Sequence, residues 1–136
     1  MSFSERISPF LGRGAIALFF LTEAWMKLTS FDANVALLRD EHVPAAAALQ
    51  VIALAVMFLG GLSLALGYHV RHGALLLFGF TVIVTVLLHA YWTLSDSSGR
   101  ISEFEIFTRN MAIAGGLLLI VGMGPGPFAL DNIGGR

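Results

Sequence analysis

Six polar side chains interrupt the apolar stretches of this chain at places where they could do chemistry: Glu23, Lys27, Gln50, His89, Arg109 and Asn110. Glu23 and Lys27 stand at i and i+4, so on a helix they can pair. Thr81, Thr85 and His89 form an i, i+4, i+8 stripe. Lysine, arginine and the amides donate hydrogen bonds, while glutamate and histidine can take up and release protons. Such a set could form a polar pocket that holds a ligand by hydrogen bonds and exchanges protons with it.

The composition says what surrounds these residues. The chain has 136 residues, is 57% hydrophobic and only 12% charged, and carries a formal charge of −1. Soluble domains carry roughly twice that charged fraction, so the apolar surplus must face lipid. The near-neutral charge argues against a nucleic-acid partner. With no cysteine, disulfides, thiol redox chemistry, iron–sulfur clusters and cysteine-ligated zinc are excluded. No metal is expected. His69 and His72 flank Arg71 without a third ligand, and a bis-histidine haem needs a second intramembrane histidine beside His89.

Four apolar stretches, about 8–28, 45–67, 72–92 and 107–123, each approach the roughly 20 residues that cross a bilayer core as a helix. The expected fold is all-α: a four-transmembrane-helix bundle, one domain over 1–136. A cleaved signal peptide is not expected, because Glu23 and Lys27 occupy the place of the cleavage site. Phe31, Val35 and Leu38 predict a short interfacial helix, and Pro44 suits the first turn of the next span. Ser102 and Glu105 have the spacing of a capping box for the last helix. GGLSLALG at 60–67 and GGLLLIVG at 115–122 hint at an internal repeat and at close helix approach. The tail GPGPFALDN is expected to fold back under the bundle, with Asp131 pairing Arg13. Arg6, Arg71 and Arg136 share the terminal side, against Arg39 and Arg100 opposite. The positive-inside rule then puts both termini in the cytoplasm of a multi-pass cell (inner) membrane protein.

Connectivity brings the polar set together. Glu23 lies near the end of the first helix, Gln50 near the start of the second and His89 near the end of the third. Arg109 and Asn110 fall in the first turn or so of the fourth. All six then occupy one slab near the side opposite the termini, with Trp25 and Trp92 at its interface. Charges at that depth cost on the order of 2.5–3.5 kcal/mol each unless neutralised. The expectation is therefore one network of Glu23, Lys27, His89 and Arg109. The bland alternative is that Lys27 and Arg109 snorkel and that Glu23 merely pairs Lys27.

Several of these features together resemble the DoxX-like family of small four-helix membrane proteins. They are Arg13 with its glycines, Lys27-Leu28 closing helix one, GGLSLALG before Arg71, His89, FTRNMAIAGGLLLI and GPGPFALD. The family usually has lysine in place of Arg109, and often an acidic residue near Met57 where this chain has its carboxylate at Glu23. The resemblance implies a membrane subunit of a quinone-linked oxidoreductase assembly, with a quinone head held at the polar slab by Lys27, Arg109 or Asn110 and protons relayed by Glu23 or His89, working with a redox enzyme partner that supplies electrons, or as a homo-oligomer. A non-catalytic anchor for a partner enzyme is the competing expectation. An oligomeric small-molecule transporter is a third.

Overall fold

The computed structural model describes residues 1–134; Arg136, used above in the orientation argument, lies outside them. Five helices follow one another: α1 (Phe3–Thr29), α2 (Phe31–Asp40), α3 (Ala46–Leu66), α4 (Val70–Leu88) and α5 (Ser97–Met123). Single 3-10 turns follow α4 at Tyr91–Thr93 and close the tail at Leu130–Asn132. The helices α1, α3, α4 with its following turn, and α5 are long and apolar enough to cross a membrane. Large apolar side chains such as Leu18, Leu59, Ile83 and Leu119 face outward. Water would not tolerate such a belt, whereas lipid does. The chain is a four-helix integral membrane bundle, with α2 as the short amphipathic helix expected between the first two spans. Val35 on α2 is buried, and Phe31 packs on the core.

The four spans stand in the order α1, α3, α4, α5. Helix α1 packs chiefly on α3 and α4 chiefly on α5, while α3 and α4 join the two pairs. Contact between α1 and α5 is sparse, which leaves a seam. The core is made of Ala17, Phe20 and Ala24 from α1, Leu54, Met57 and Leu64 from α3, Val70, Ala74 and Leu77 from α4, and Leu117 from α5. Glycines set the close approaches. A Cβ on Gly60 would strike Leu77, and one on Gly61 would strike Leu21. In the second half of the suspected repeat, Gly116 meets Ile16 but nothing lies within 4 Å of Gly115. The two GG pairs are thus not in equivalent surroundings.

Several boundaries differ from expectation for local reasons. Helix α5 begins at Ser97, because the Asp96 side chain accepts from the Gly99 N–H at 2.8 Å. That N-cap pre-empts the predicted Ser102–Glu105 box. The bond to Gly99, with one from the Ser98 hydroxyl, holds the Asp96 carboxyl below the usual carboxylate range. The capping box lies instead at Ser2 and Glu5, at the start of α1. Pro44 precedes α3 rather than opening it: Ala45, with φ 51°, is its N-cap. Helix α4 stops at Leu88, and His89 is its C-cap rather than part of its last turn. Beyond it Tyr91 meets the rings of Phe104 and Phe107 on α5, with centroids at 4.9 and 5.4 Å. This cluster holds the polar first turns of α5 against the turn, although their composition alone reads as a link.

Candidate functional site: a buried polar band and its rim

The inner half of the site is a band of polar groups inside the bundle. Thr85 on α4 is completely buried, and its hydroxyl accepts from the Asn110 amide at 3.1 Å, tying α4 to α5. Thr81, one turn along α4, is also buried, as is Gln50 on α3. Gly60 lies against Leu77 and Gly73 against Ser63, so each step back along α3 matches a step forward along α4. Extrapolated, that antiparallel register puts Gln50 level with the last turn of α4. Neither the Gln50 amide nitrogen nor the Thr81 hydroxyl has a hydrogen-bond partner among the described residues. In a hydrocarbon environment an unpaired polar group costs several kcal/mol.

The outer half is a rim of charged groups. His89 Nδ1 and Glu103 Oε2 are 2.7 Å apart, linking the end of α4 to α5. With the carboxylate ionised Nδ1–H is the donor, which leaves Nε2 as the free ring nitrogen. Glu103 was not anticipated as a site residue from the sequence; with Asp96 as the N-cap it lies in the second turn of α5 rather than at the helix start. Glu23 and Lys27 make the expected i, i+4 pair, but at 3.9 Å and with both side chains more than a third exposed. Arg109 is exposed, and its guanidinium carbon lies 6.0 Å from the centre of the Phe19 ring. Because α5 starts early, Arg109 and Asn110 lie more than three turns into it rather than in its first turn.

The expected single network is therefore divided. Gln50, Thr81, Thr85 and Asn110 lie inside, and His89 with Glu103 forms the rim above α4 and α5. Arg109 lies on the α1–α5 seam, where Ile16 and Phe19 on α1 face Gly116 and Arg109 on α5; Glu23 and Lys27 follow Phe19 on α1 at steps of four residues, the spacing of one helix face. No direct ion pair joins Glu23 to His89 or Arg109 among the described residues. Trp92 packs its ring edge to face on Tyr91 and Phe107, and both it and Trp25 are more than half exposed. No group of three or more metal-ligating side chains occurs among the described residues.

The opposite end is organised differently. Arg13 is 2% exposed, yet it does not pair directly with Asp131 as expected. Its guanidinium donates to the carbonyls of Pro125 and Phe128, the latter at 2.9 Å. Asp131 instead accepts from the His69 and Val70 N–H groups at 2.7 and 3.0 Å, covering the start of α4. The reason is geometric: the returning tail presents main-chain carbonyls to Arg13 and carries Asp131 past it to the orphan donors of a helix end. Partial burial pushes the Asp131 carboxyl up. The two N–H bonds and the charges of His69 and Arg13 outweigh that and hold it below the usual range. The tail does fold back, but Phe128 and Leu130 stay largely exposed; Phe128 meets Phe10 edge to face at 5.8 Å.

Comparison with known proteins agrees with this architecture. "Inner membrane protein YqjF" of Escherichia coli (strain K12) is 29% identical over 129 residues, spanning 95% of this chain and 93% of the relative. "Inner membrane protein YphA" of the same organism is 27% identical over 122 residues, 90% of this chain and 86% of the relative. No solved structure is significantly similar. The DoxX family model matches residues 8–90. That stretch holds α1 to α4 and His89, while Glu103, Arg109, Asn110 and the tail lie beyond it. Since the match takes in more than half of the chain, this protein belongs to the DoxX family.

Proposed function

We propose that the chain is the inner-membrane subunit of a quinone-linked redox assembly and that it holds a quinone head in the polar band between α3, α4 and α5. One observation carries this reading: the buried Gln50 amide and Thr81 hydroxyl have hydrogen-bonding capacity that no described residue uses. A quinone carbonyl accepts hydrogen bonds, and both groups can donate. Bound there, a quinone takes up two electrons and two protons, the electrons coming from a partner enzyme. The protein's own contribution is orientation and protons. Thr85 and Asn110 fix the α4–α5 distance. Glu103 holds the His89 ring through Nδ1, which leaves Nε2 as the ring nitrogen that exchanges protons between the band and the rim. The sparse α1–α5 contact gives a lipid-soluble ligand lateral access, with Arg109 on the seam. Both termini are cytoplasmic on this reading, from Arg6 and Arg71 on their side.

The test is a titration of the purified protein with a short-chain quinone, beside Gln50→Leu and Thr81→Val. Each substitution removes a donor at nearly constant volume. Both variants should stay folded and lose at least about tenfold in affinity, the equivalent of about 1.4 kcal/mol. Folded variants with wild-type affinity would overturn the assignment. A pure anchor role is the second reading. It is favoured by α5, whose Gly115 and Gly122 have nothing within 4 Å and leave a smooth outer face. Under it the wild-type titration is flat and only partner capture depends on the chain.

A further inference from the structure

Two cavities lie at the end opposite the polar band, and they adjoin one another. The larger, about 690 Å³, is a cleft between the α3–α4 turn and the tail, bordered by His69, Arg71, His72, Pro125 and Asp131. The smaller, about 350 Å³, runs along the outer face of α3 and α4 past Leu59, Leu62, Leu66 and Leu76. Tyr68, His69 and His72 border both. From Leu66 to Leu59, at 1.5 Å per residue, the groove extends about 10 Å into the membrane-spanning part.

The two parts differ in chemistry. Asp131, the carboxylate of the cleft, is already engaged by the His69 and Val70 N–H groups. Arg71 is exposed and has no carboxylate within ion-pair distance among the described residues. Its guanidinium packs against Gly124, where a Cβ would come within 2.9 Å of Nη2. The side chain borders the cleft at that point. His69 and His72 stand edge to face at 5.8 Å beside it. His69 is held at φ 48°, a left-handed conformation that costs a non-glycine residue on the order of 1 kcal/mol or more and that Asp131 sustains from its backbone N–H. The cleft therefore offers a fork of guanidinium donors and two imidazoles to an anion. The groove offers leucine side chains, with Gly60 and Gly73 forming its floor. The tail that borders the cleft also exposes Phe128 and Ile133, apolar side chains that an acyl–headgroup boundary would receive.

We infer that this cleft and groove bind one anionic phospholipid, its phosphate against Arg71, His69 and His72 and an acyl chain along Leu59, Leu62, Leu66 and Leu76. Charge complementarity and the adjacency of a polar cleft to an apolar groove select a membrane lipid over a soluble anion. The experiment uses the full chain, stripped of lipid in mild detergent. Native mass spectrometry and melting temperature are read after adding phosphatidylglycerol, phosphatidylcholine or inorganic phosphate. Wild type should retain phosphatidylglycerol at least tenfold better than phosphatidylcholine and melt higher with it. Arg71→Gln should abolish that preference while melting, without lipid, as wild type does. Leu62→Trp fills the groove without touching the cleft, and should lose phosphatidylglycerol as well. Equal retention of the two lipids by wild type would overturn the proposal. So would a response to inorganic phosphate that matches phosphatidylglycerol and survives Leu62→Trp, since that marks a free-phosphate site. If Arg71→Gln melts low on its own, His72→Gln replaces it, and its unchanged lipid preference would equally refute the site.

Discussion

The two ends of this bundle handle polar groups in opposite ways. At the tail end, Arg13 gives both of its Nη groups to main-chain carbonyls, with only Nε left without a partner among the described residues, and Asp131 is taken up by main-chain N–H groups. These polar side chains serve the backbone and close the structure. In the band between α3, α4 and α5, Thr85 and Asn110 satisfy one another, but the Gln50 amide and the Thr81 hydroxyl stay open. Buried polarity is therefore not one category. Where it is used up by the backbone it works as a fastening, and where it is left open it is a candidate ligand site.

The largest effect should come from breaking the fastening. Arg13→Ala strips the donors from two carbonyls in a buried setting. At about 1.5–3 kcal/mol for each hydrogen bond to a charged group, it should cost at least about 3 kcal/mol and lower the melting temperature in detergent by many degrees. A melting temperature unchanged within error would show that the tail holds without it. The band should answer in the other direction. Gln50→Leu and Thr81→Val remove polar atoms that have no partner, so each should leave stability unchanged or raise it by up to about 1 kcal/mol while weakening quinone binding. Marked destabilisation of both would mean that they have unseen structural partners and would erase the contrast.

Asp131→Asn is the intermediate case. Loss of its cap on α4 should cost about 1 kcal/mol. Because the folded carboxyl titrates below its ordinary value, its contribution is complete above that value and is lost as pH falls through the folded value. Wild-type stability should thus decline below about pH 4, and the part due to Asp131 should vanish from the acid limb of the asparagine variant, as thermal melts from pH 7 to pH 3 would show. The smallest effect belongs to Glu23. At 3.9 Å from Lys27 and well exposed, its pair is worth about 0.5 kcal/mol or less. Glu23→Gln should cost less than Glu23→Ala, since glutamine keeps a hydrogen bond. A loss of several kcal/mol would mean that Glu23 also engages Arg109 across the seam.

What could be read from the sequence follows from how local each signal is. Four apolar runs announce four spans, because hydropathy is a property of each stretch by itself. The short helix α2 announced itself through Phe31, Val35 and Leu38 in the same way. Depth was legible too: Gln50, Thr85, His89 and Asn110 fall in one half of the bundle, as connectivity requires. Pairing was not. His89 goes to Glu103 because Asp96 starts α5 ten residues before its apolar part, and an N-cap is a weak signal inside a polar link. Arg13 takes carbonyls rather than Asp131 because the path of the tail is set by Gly124 and Gly126, both with positive φ. Formal charge says nothing about where a main-chain carbonyl will stand.

The bonds from Arg13 to Pro125 and Phe128 also have a mechanical consequence. They tie the end of α5 to α1 across a seam that is otherwise thinly joined. A joint fixed at one end is a hinge. Helix α5 has 27 residues and is thus a rod of about 40 Å. Pivoting the α4–α5 hairpin about that joint by about 5° would carry the far end of α5 through about 3.5 Å on a rod of that length, roughly the thickness of a flat aromatic ring. The seam at Phe19 and Arg109, about halfway along the lever, would open by about half as much. The clasp at one surface, together with the α3–α4 packing, would thereby limit how wide the α1–α5 seam can part near the other.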